Sequence, residues 1–170
     1  MQRALLLLLC LTALGLTGCA GYHLGAAKGA VAGGQSIEIF PFNNQTLEPR
    51  LGDAVTQALR ERLQTDGTYQ LATRGGADVV VTGSIKRYFR VGLSFLSADV
   101  TTTENYRVGI VAHVVARNSS SGKILLEKDI QGFTLVNVGT DLASADRQSL
   151  DLLADDLARN VTVALTEGGW

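Results

Sequence analysis

The chain of 170 residues has two cysteines, Cys10 and Cys19, and two histidines, His23 and His113. Neither pair is spaced as a metal site, and neither Gly-x-Ser-x-Gly nor a Gly-Lys-Ser/Thr phosphate loop occurs. His113 falls on the polar side of a strand pattern, where a histidine facing solvent is the simplest reading. Asp151, Asp155 and Asp156 cluster near the C-terminus. Arg147–Asp151 and Asp155–Arg159 stand at i,i+4, the spacing of salt bridges on an exposed helix face rather than of a paired-carboxylate site. The chain is expected to be no enzyme and to use neither cofactor nor metal.

One thiol has a chemistry written around it. Arg3 precedes an apolar run from Ala4 to Leu16, broken only by Thr12 and Gly15, and then comes Leu16-Thr17-Gly18-Cys19. A positive start, a short apolar stretch and small residues describe a secretory signal peptide. The run is too short for a membrane span, which needs about 20 apolar residues. Its end, apolar-small-Gly-Cys, resembles a bacterial lipobox, whose thiol receives a diacylglyceryl group before cleavage and acylation of the new amine. Residues 1–18 are therefore expected to leave as signal peptide, Cys10 with them. Cys19 is expected to become a lipid anchor carrying S-diacylglyceryl and N-acyl groups. Each buried methylene contributes about 0.8 kcal/mol and one chain anchors only marginally, so two or three chains hold the protein on the membrane. No second thiol remains, so the domain must fold without a disulfide. Ala20 rather than Asp after the cysteine resembles the sorting signal for the periplasmic face of the outer membrane.

After processing, 14 basic side chains face 16 acidic ones, a net charge of −2. That balance gives no overall footprint for nucleic acid. Residues 19–35 hold the lipidated cysteine and a Gly/Ala-rich tether, and 36–166 are long enough for a single domain with its own core.

Periodicity places the elements of that domain. Ser36 to Phe42 reads as a strand. Pro49 suits the first turn of a helix, and Leu51, Val55, Ala58, Leu59 and Leu63 form one apolar stripe ended by Asp66-Gly67. From Ala77 to Phe95, Val79, Val81, Ile85, Phe89, Val91, Leu93 and Phe95 share one parity, and Thr82, Ser84, Lys86, Tyr88 and Arg90 the other. Arg87 alone interrupts the apolar set. Ser97 to Thr103 reads as turn or loop, Glu104 to Arg117 and Lys123 to Thr134 as two further strands, and Ala145 to Leu165 as a second helix. The expected fold is α+β, in the order β-α-β-β-β-α. It is a two-layer sandwich with two helices on one face of a four-stranded, mostly antiparallel sheet and a polar opposite face.

Two surface features stand out on that frame. Lys86, Arg90, Arg107 and Arg117 share the parity opposite the core, so paired strands would align them as a basic strip able to bind phosphates. Phe95 and Leu96, near the hairpin tip, point to opposite faces, which leaves one for a partner to cover.

Several stretches together resemble the LPS-assembly lipoprotein family, LptE. Gly21-Tyr22-His23-Leu24 follows the lipid cysteine, and Ile37-x-Ile39-x-x-Phe42-x-Asn44-x-Thr46-x-Glu48-Pro49 leads into a helix. Ala77-Asp78 then opens an apolar strand with Gly83 and Ile85. The resemblance runs from Cys19 to about Arg90. It implies a plug seated in a large outer-membrane β-barrel, LptD, that helps the barrel fold and binds lipopolysaccharide on its way to the outer leaflet. The basic strip would then be a lipopolysaccharide site, and Phe95 and Leu96 a barrel contact. A regulatory lipoprotein that activates a peptidoglycan synthase is the alternative. Residues 20–35 span at most roughly 55 Å, a short reach that favours a partner in the same membrane. An envelope hydrolase is disfavoured by the missing site.

Overall fold

The computed structural model describes the backbone of residues 34–96, 99–137 and 142–168, with side chains at 34–93, 105–137 and 148–168. Cys19 and the tether lie outside the described residues. The elements are β1 (Gln35–Ile39), β2 (Asn43–Asn44), α1 (Leu51–Asp66), β3 (Tyr69–Leu71), β4 (Val79–Leu96), β5 (Asp99–Asn118), β6 (Ile124–Asn137) and α2 (Leu142–Glu167).

The sheet runs β3-β1-β4-β5-β6, with β2 paired to β4. β4, β5 and β6 form an antiparallel meander. β1 lies parallel to β3 and β4, and β2 parallel to β4. The sheet is thus six-stranded and mixed, not four-stranded and mostly antiparallel. The two extra strands have two and three residues, too few to show a period. The chain returns through α1 before β3 and β4 are laid beside β1, and that crossover makes both pairings parallel. β5 starts at Asp99 rather than Glu104, so most of the expected loop is strand. Its Val100 and three consecutive threonines are β-branched and favour extended backbone.

Both helices cover one face. Leu51, Val55, Leu59 and Leu63 of α1, and Leu153, Leu157, Ala158 and Val161 of α2, pack on Ile37, Val81, Ile85, Ile110, Ala112 and Val114. α2 meets β6 at Gly132, where an added Cβ would lie 2.7 Å from the Leu157 backbone N. Two side chains of α2 also close the sheet's edge. The Phe133 N–H donates to Asp156 Oδ2 at 3.0 Å, and Asn160 Nδ2 donates to the Gln131 carbonyl at 2.8 Å. Unpaired strand edges invite association, and these bonds occupy this one.

The turn before α1 is wired by Asn44. Its Oδ1 accepts from the Thr46 N–H at 3.0 Å and hydroxyl at 2.8 Å, and its Nδ2 donates to the Glu48 carbonyl at 2.7 Å. The helix begins at Leu51, after Pro49, because Arg50 sits at the N-cap in the left-handed region with φ 64°. Gly67, φ 73°, ends it with an N–H to the Leu63 carbonyl.

Candidate functional site

β4 and β5 pair in step from Val79↔Asn118 to Ile85↔Ala112, and the next pair is Arg87↔Val111. Lys86 is one residue too many, a β-bulge. Such an insertion reverses the facing of the residues after it, here as far as the next register shift, between Gly92 and Ser94. The expected unbroken alternation from Val79 to Phe95 therefore fails at Lys86. Beyond the bulge Tyr88 and Arg90 stand opposite Ile110 and Val108 on the helix side, and Tyr88 packs against the core. Arg87, Phe89 and Val91 stand opposite Val111, Gly109 and Arg107 on the open side. Arg87 does not enter the core at all. The bulge is what the interrupted parity recorded.

The open face has two unlike halves. Towards the start of β4 it is polar, as expected. Ser84, His113 and Asp129 form one cross-strand row, and Thr82, Val115 and Glu127 the next. His113 Nδ1 lies 2.7 Å from Asp129 Oδ1 and its Nε2 lies 3.5 Å from Glu127 Oε1. Both ring nitrogens are turned to carboxylates of β6. Nucleophilic catalysis needs a base nitrogen aimed at the hydroxyl, and here neither is directed to Ser84. The row is a histidine–carboxylate group in the middle of a sheet face. Nearer the entry of β1, Asp78 accepts from the Ser36 N–H at 2.8 Å and hydroxyl at 2.7 Å. The backbone bond, then the hydroxyl bond, hold its carboxyl below the ordinary value of 3.8.

Towards the hairpin tip the open face carries apolar side chains in two rows, against expectation, before the polar pair Asn105 and Asn137. One row is Phe89, Gly109, Phe133, and the next is Val91, Arg107, Leu135. Val91, Phe133 and Leu135 are 49, 55 and 64 % exposed. The outer end of the Phe89 ring lies over Gly109, where an added Cβ would come within 2.3 Å of it. Val111, in the row beneath, is only 8 % exposed although it is no part of the helix-side core. Two guanidinium groups rest on this surface. Arg87 lies 5.3 Å from the centroid of the Phe89 ring, and Arg107 5.5 Å from that of Phe133. Both distances are those of cation–π pairs.

The residues expected from the sequence do not gather into one strip. Lys86 is exposed at the bulge, beside the 45–48 loop. Arg90 is on the helix side, its Nε donating to the Tyr88 hydroxyl at 3.0 Å. Arg107 and Arg117 do share the open face, but ten residues, roughly 33 Å of strand, separate them. The partner that Arg107 acquires is Arg87, which strict alternation had left unassigned. Phe95 and Leu96 lie in β4, with side chains outside the described residues. Asp151 and Asp155 rim a groove between the helices with Glu61 and Arg62. Arg159 pairs with Asp156 rather than with Asp155, because Asp156 is also held at the sheet edge. Arg147 is outside the described side chains.

Among the described residues no group of three or more His, Cys, Asp or Glu side chains is placed to hold a metal. No described helix is long and apolar enough to cross a membrane.

Comparison with known proteins places this architecture. A search of curated proteins gives no match. Protein CT253 from Chlamydia trachomatis superposes with a TM-score of 0.57 at 9 % identity, over 79 % of this chain and 97 % of that one. Protein XCC0632 from Xanthomonas campestris, of family DUF330, gives 0.58 at 8 % identity over 88 % and 94 %. A minor lipoprotein from Acinetobacter baumannii gives 0.52 at 13 % identity over 78 % and 93 %. At these identities the likeness is one of fold. The family model described as LptE, lipopolysaccharide-assembly, matches residues 34–165, from the start of β1 nearly to the end of α2. The chain belongs to the LptE lipopolysaccharide-assembly family.

Proposed function

We propose that this chain is an outer-membrane lipoprotein, anchored through acylated Cys19. In this reading it assembles with a large LptD-like β-barrel and helps deliver lipopolysaccharide to the outer leaflet. The observation that carries the reading is the family match over residues 34–165. The lipobox-like Leu16-Thr17-Gly18-Cys19 supports the anchor. The short span of residues 20–35 supports a partner in the same membrane.

Binding, not turnover, is the chemistry assigned to the domain. The basic side chains act in two places. Arg107 and Arg117 meet lipopolysaccharide phosphates on the open face, while Lys86 and Arg90 do so around the bulge and on the helix side. Phe95 and Leu96, near the tip, contact the barrel. The test is capture of the full-length, lipidated protein from detergent-solubilised outer membranes, with the bound proteins identified by mass spectrometry. One large barrel near equal stoichiometry is expected. A peptidoglycan synthase in its place, or no barrel, overturns the reading.

A further inference from the structure

Leu47 is the most exposed large apolar side chain among the described residues, at 103 % against 64 % for the next, Leu135. It takes no part in the core, so the free domain gains nothing from an apolar residue there. Single exposed apolar residues are ordinary, but this one stands on a backbone fixed on both sides. Before it, the Gln45 N–H donates to the Ile85 carbonyl at 3.0 Å, and Asn44 Oδ1 holds the Thr46 N–H and hydroxyl. After it, the Glu48 carbonyl accepts from Asn44 Nδ2, and the Glu48 N–H donates to the Thr46 hydroxyl at 3.3 Å. The base of the turn is closed as well. A Cβ on Gly52 would lie 2.7 Å from the Phe42 carbonyl oxygen, and the Phe42 N–H donates to the Thr56 hydroxyl at 2.9 Å. A leucine on a loose loop loses backbone freedom when it binds. Here folding has already fixed the crest, so a contact at Leu47 adds little ordering cost beyond its own side chain.

The side chains around the crest select the kind of partner. Among the described residues neither the Gln45 amide nor the Glu48 carboxylate has a hydrogen-bond or ion-pair partner. Glu48 lines a groove together with Lys86 and Arg87 of the bulge. Acid and base thus stand in one groove without forming an ion pair. An anionic leaflet is repelled by Glu48 and, being fluid, gains nothing from a fixed crest. A protein surface uses both features. A socket takes the apolar side chain, and donors, acceptors and charges of both signs at its rim set the register. In the reading above the domain is enclosed by a protein wall, and that wall supplies the occupant.

We propose that the crest Gln45–Glu48 is a contact with the inner wall of the barrel. Leu47 enters an apolar socket there, and Gln45 and Glu48 bond polar groups at its rim. Lys86 keeps the phosphate role assigned to it above. The inference rests on the barrel reading and adds to it a definite place on this chain.

The test uses the full-length, lipidated protein in cells, with p-benzoylphenylalanine at position 47. This photocrosslinker bonds to C–H groups of protein and lipid alike, so either occupant is detected. Irradiation and capture should give a covalent adduct with the barrel, confined to one stretch of the barrel's sequence because the crest is fixed. In a second measurement the unsubstituted chain and Leu47→Ser, differently tagged, are made together and captured through the barrel. The variant should be under-represented about tenfold, the scale of losing one buried leucine side chain, and Leu47→Met should compete equally. Thermal unfolding should be unaltered by Leu47→Ser, because the side chain lies outside the core. No barrel captured by the unsubstituted chain overturns the barrel reading, and this inference with it. A barrel captured without an adduct from position 47 overturns this inference alone. So does an adduct with lipopolysaccharide or phospholipid only, or equal occupancy by Leu47→Ser.

Discussion

Deleting Lys86 is the sharpest test of the register that builds the open face. In the structure Ile85 opposes Ala112 and Arg87 opposes Val111, with Lys86 unmatched between them. Removing it makes β4 regular while every pair is kept: Tyr88 still faces Ile110, and Phe89 still faces Gly109. Lys86 is exposed, and surface changes without a buried partner usually alter stability by about 0.5 kcal/mol. Allowing for the lost twist of the bulge, the deletion should cost about 1 kcal/mol, or about 3 °C in Tm for a domain of this size. An unbulged strand predicts the opposite. In it Phe89 and Val91 point to the helices, and the deletion would turn them outward and bring Tyr88 and Arg90 in. Uncompensated burial of a charge costs about 3–5 kcal/mol. Urea unfolding separates the two cases. A single cysteine in a Cys19→Ser background separates them again, because no other thiol follows residue 19. Val91→Cys should label rapidly and Tyr88→Cys slowly, with and without Lys86. A loss above about 3 kcal/mol, or labelling rates exchanged by the deletion, would refute the bulge.

Three further outcomes follow from the packing. Gly132→Val should destabilise the domain by about 2–3 kcal/mol, as overpacking does, because the helix backbone at Leu157 blocks even a Cβ; urea unfolding reads it. Asp156→Ala removes the acceptor of the Phe133 N–H and should cost about 1–3 kcal/mol. It should also raise concentration-dependent association in light scattering, as an opened edge does. Asp78→Asn should lower stability at neutral pH, with a difference that closes in acid. The folded carboxyl titrates below 3.8, so its contribution is present above that value and lost as pH falls through the folded one. A difference that persists undiminished at pH 2 would show that the Ser36 bonds are not its source.

The helices were legible because their apolar stripes are long. Leu51, Val55, Leu59 and Leu63 recur over three turns, and all are 0–1 % exposed in the structure. Strand β3 was not legible, because three residues carry no period, and its pairing depends on where α1 returns the chain. Asn44, by contrast, belongs to a stretch whose pattern was plain before its reason was. The spacing Asn44-x-Thr46-x-Glu48 is that of a side chain bonding two and four residues ahead, which is how such residues shape turns.

The open face shows why site residues are harder to read than elements. Parity along a strand is a local rule, and it assigns a face only while the pairing register holds. One unmatched residue at position 86 leaves the composition of β4 unchanged, yet it moves Phe89 and Val91 out of the core and Arg87 out beside them. A basic strip argued from Lys86, Arg90, Arg107 and Arg117 carried that error into three dimensions, since two of its members lie before or across the inversion. The sequence did hold a signal: an arginine in an otherwise apolar parity, with a tyrosine and an arginine in the polar one. Burying Arg87 unpaired would cost several kcal/mol, more than a bulge does, so a shift of register was the cheaper solution. The same inversion sets two guanidinium groups on aromatic rings within one apolar surface. The face that distinguishes this domain is therefore a product of pairing between strands, and no single strand encodes it.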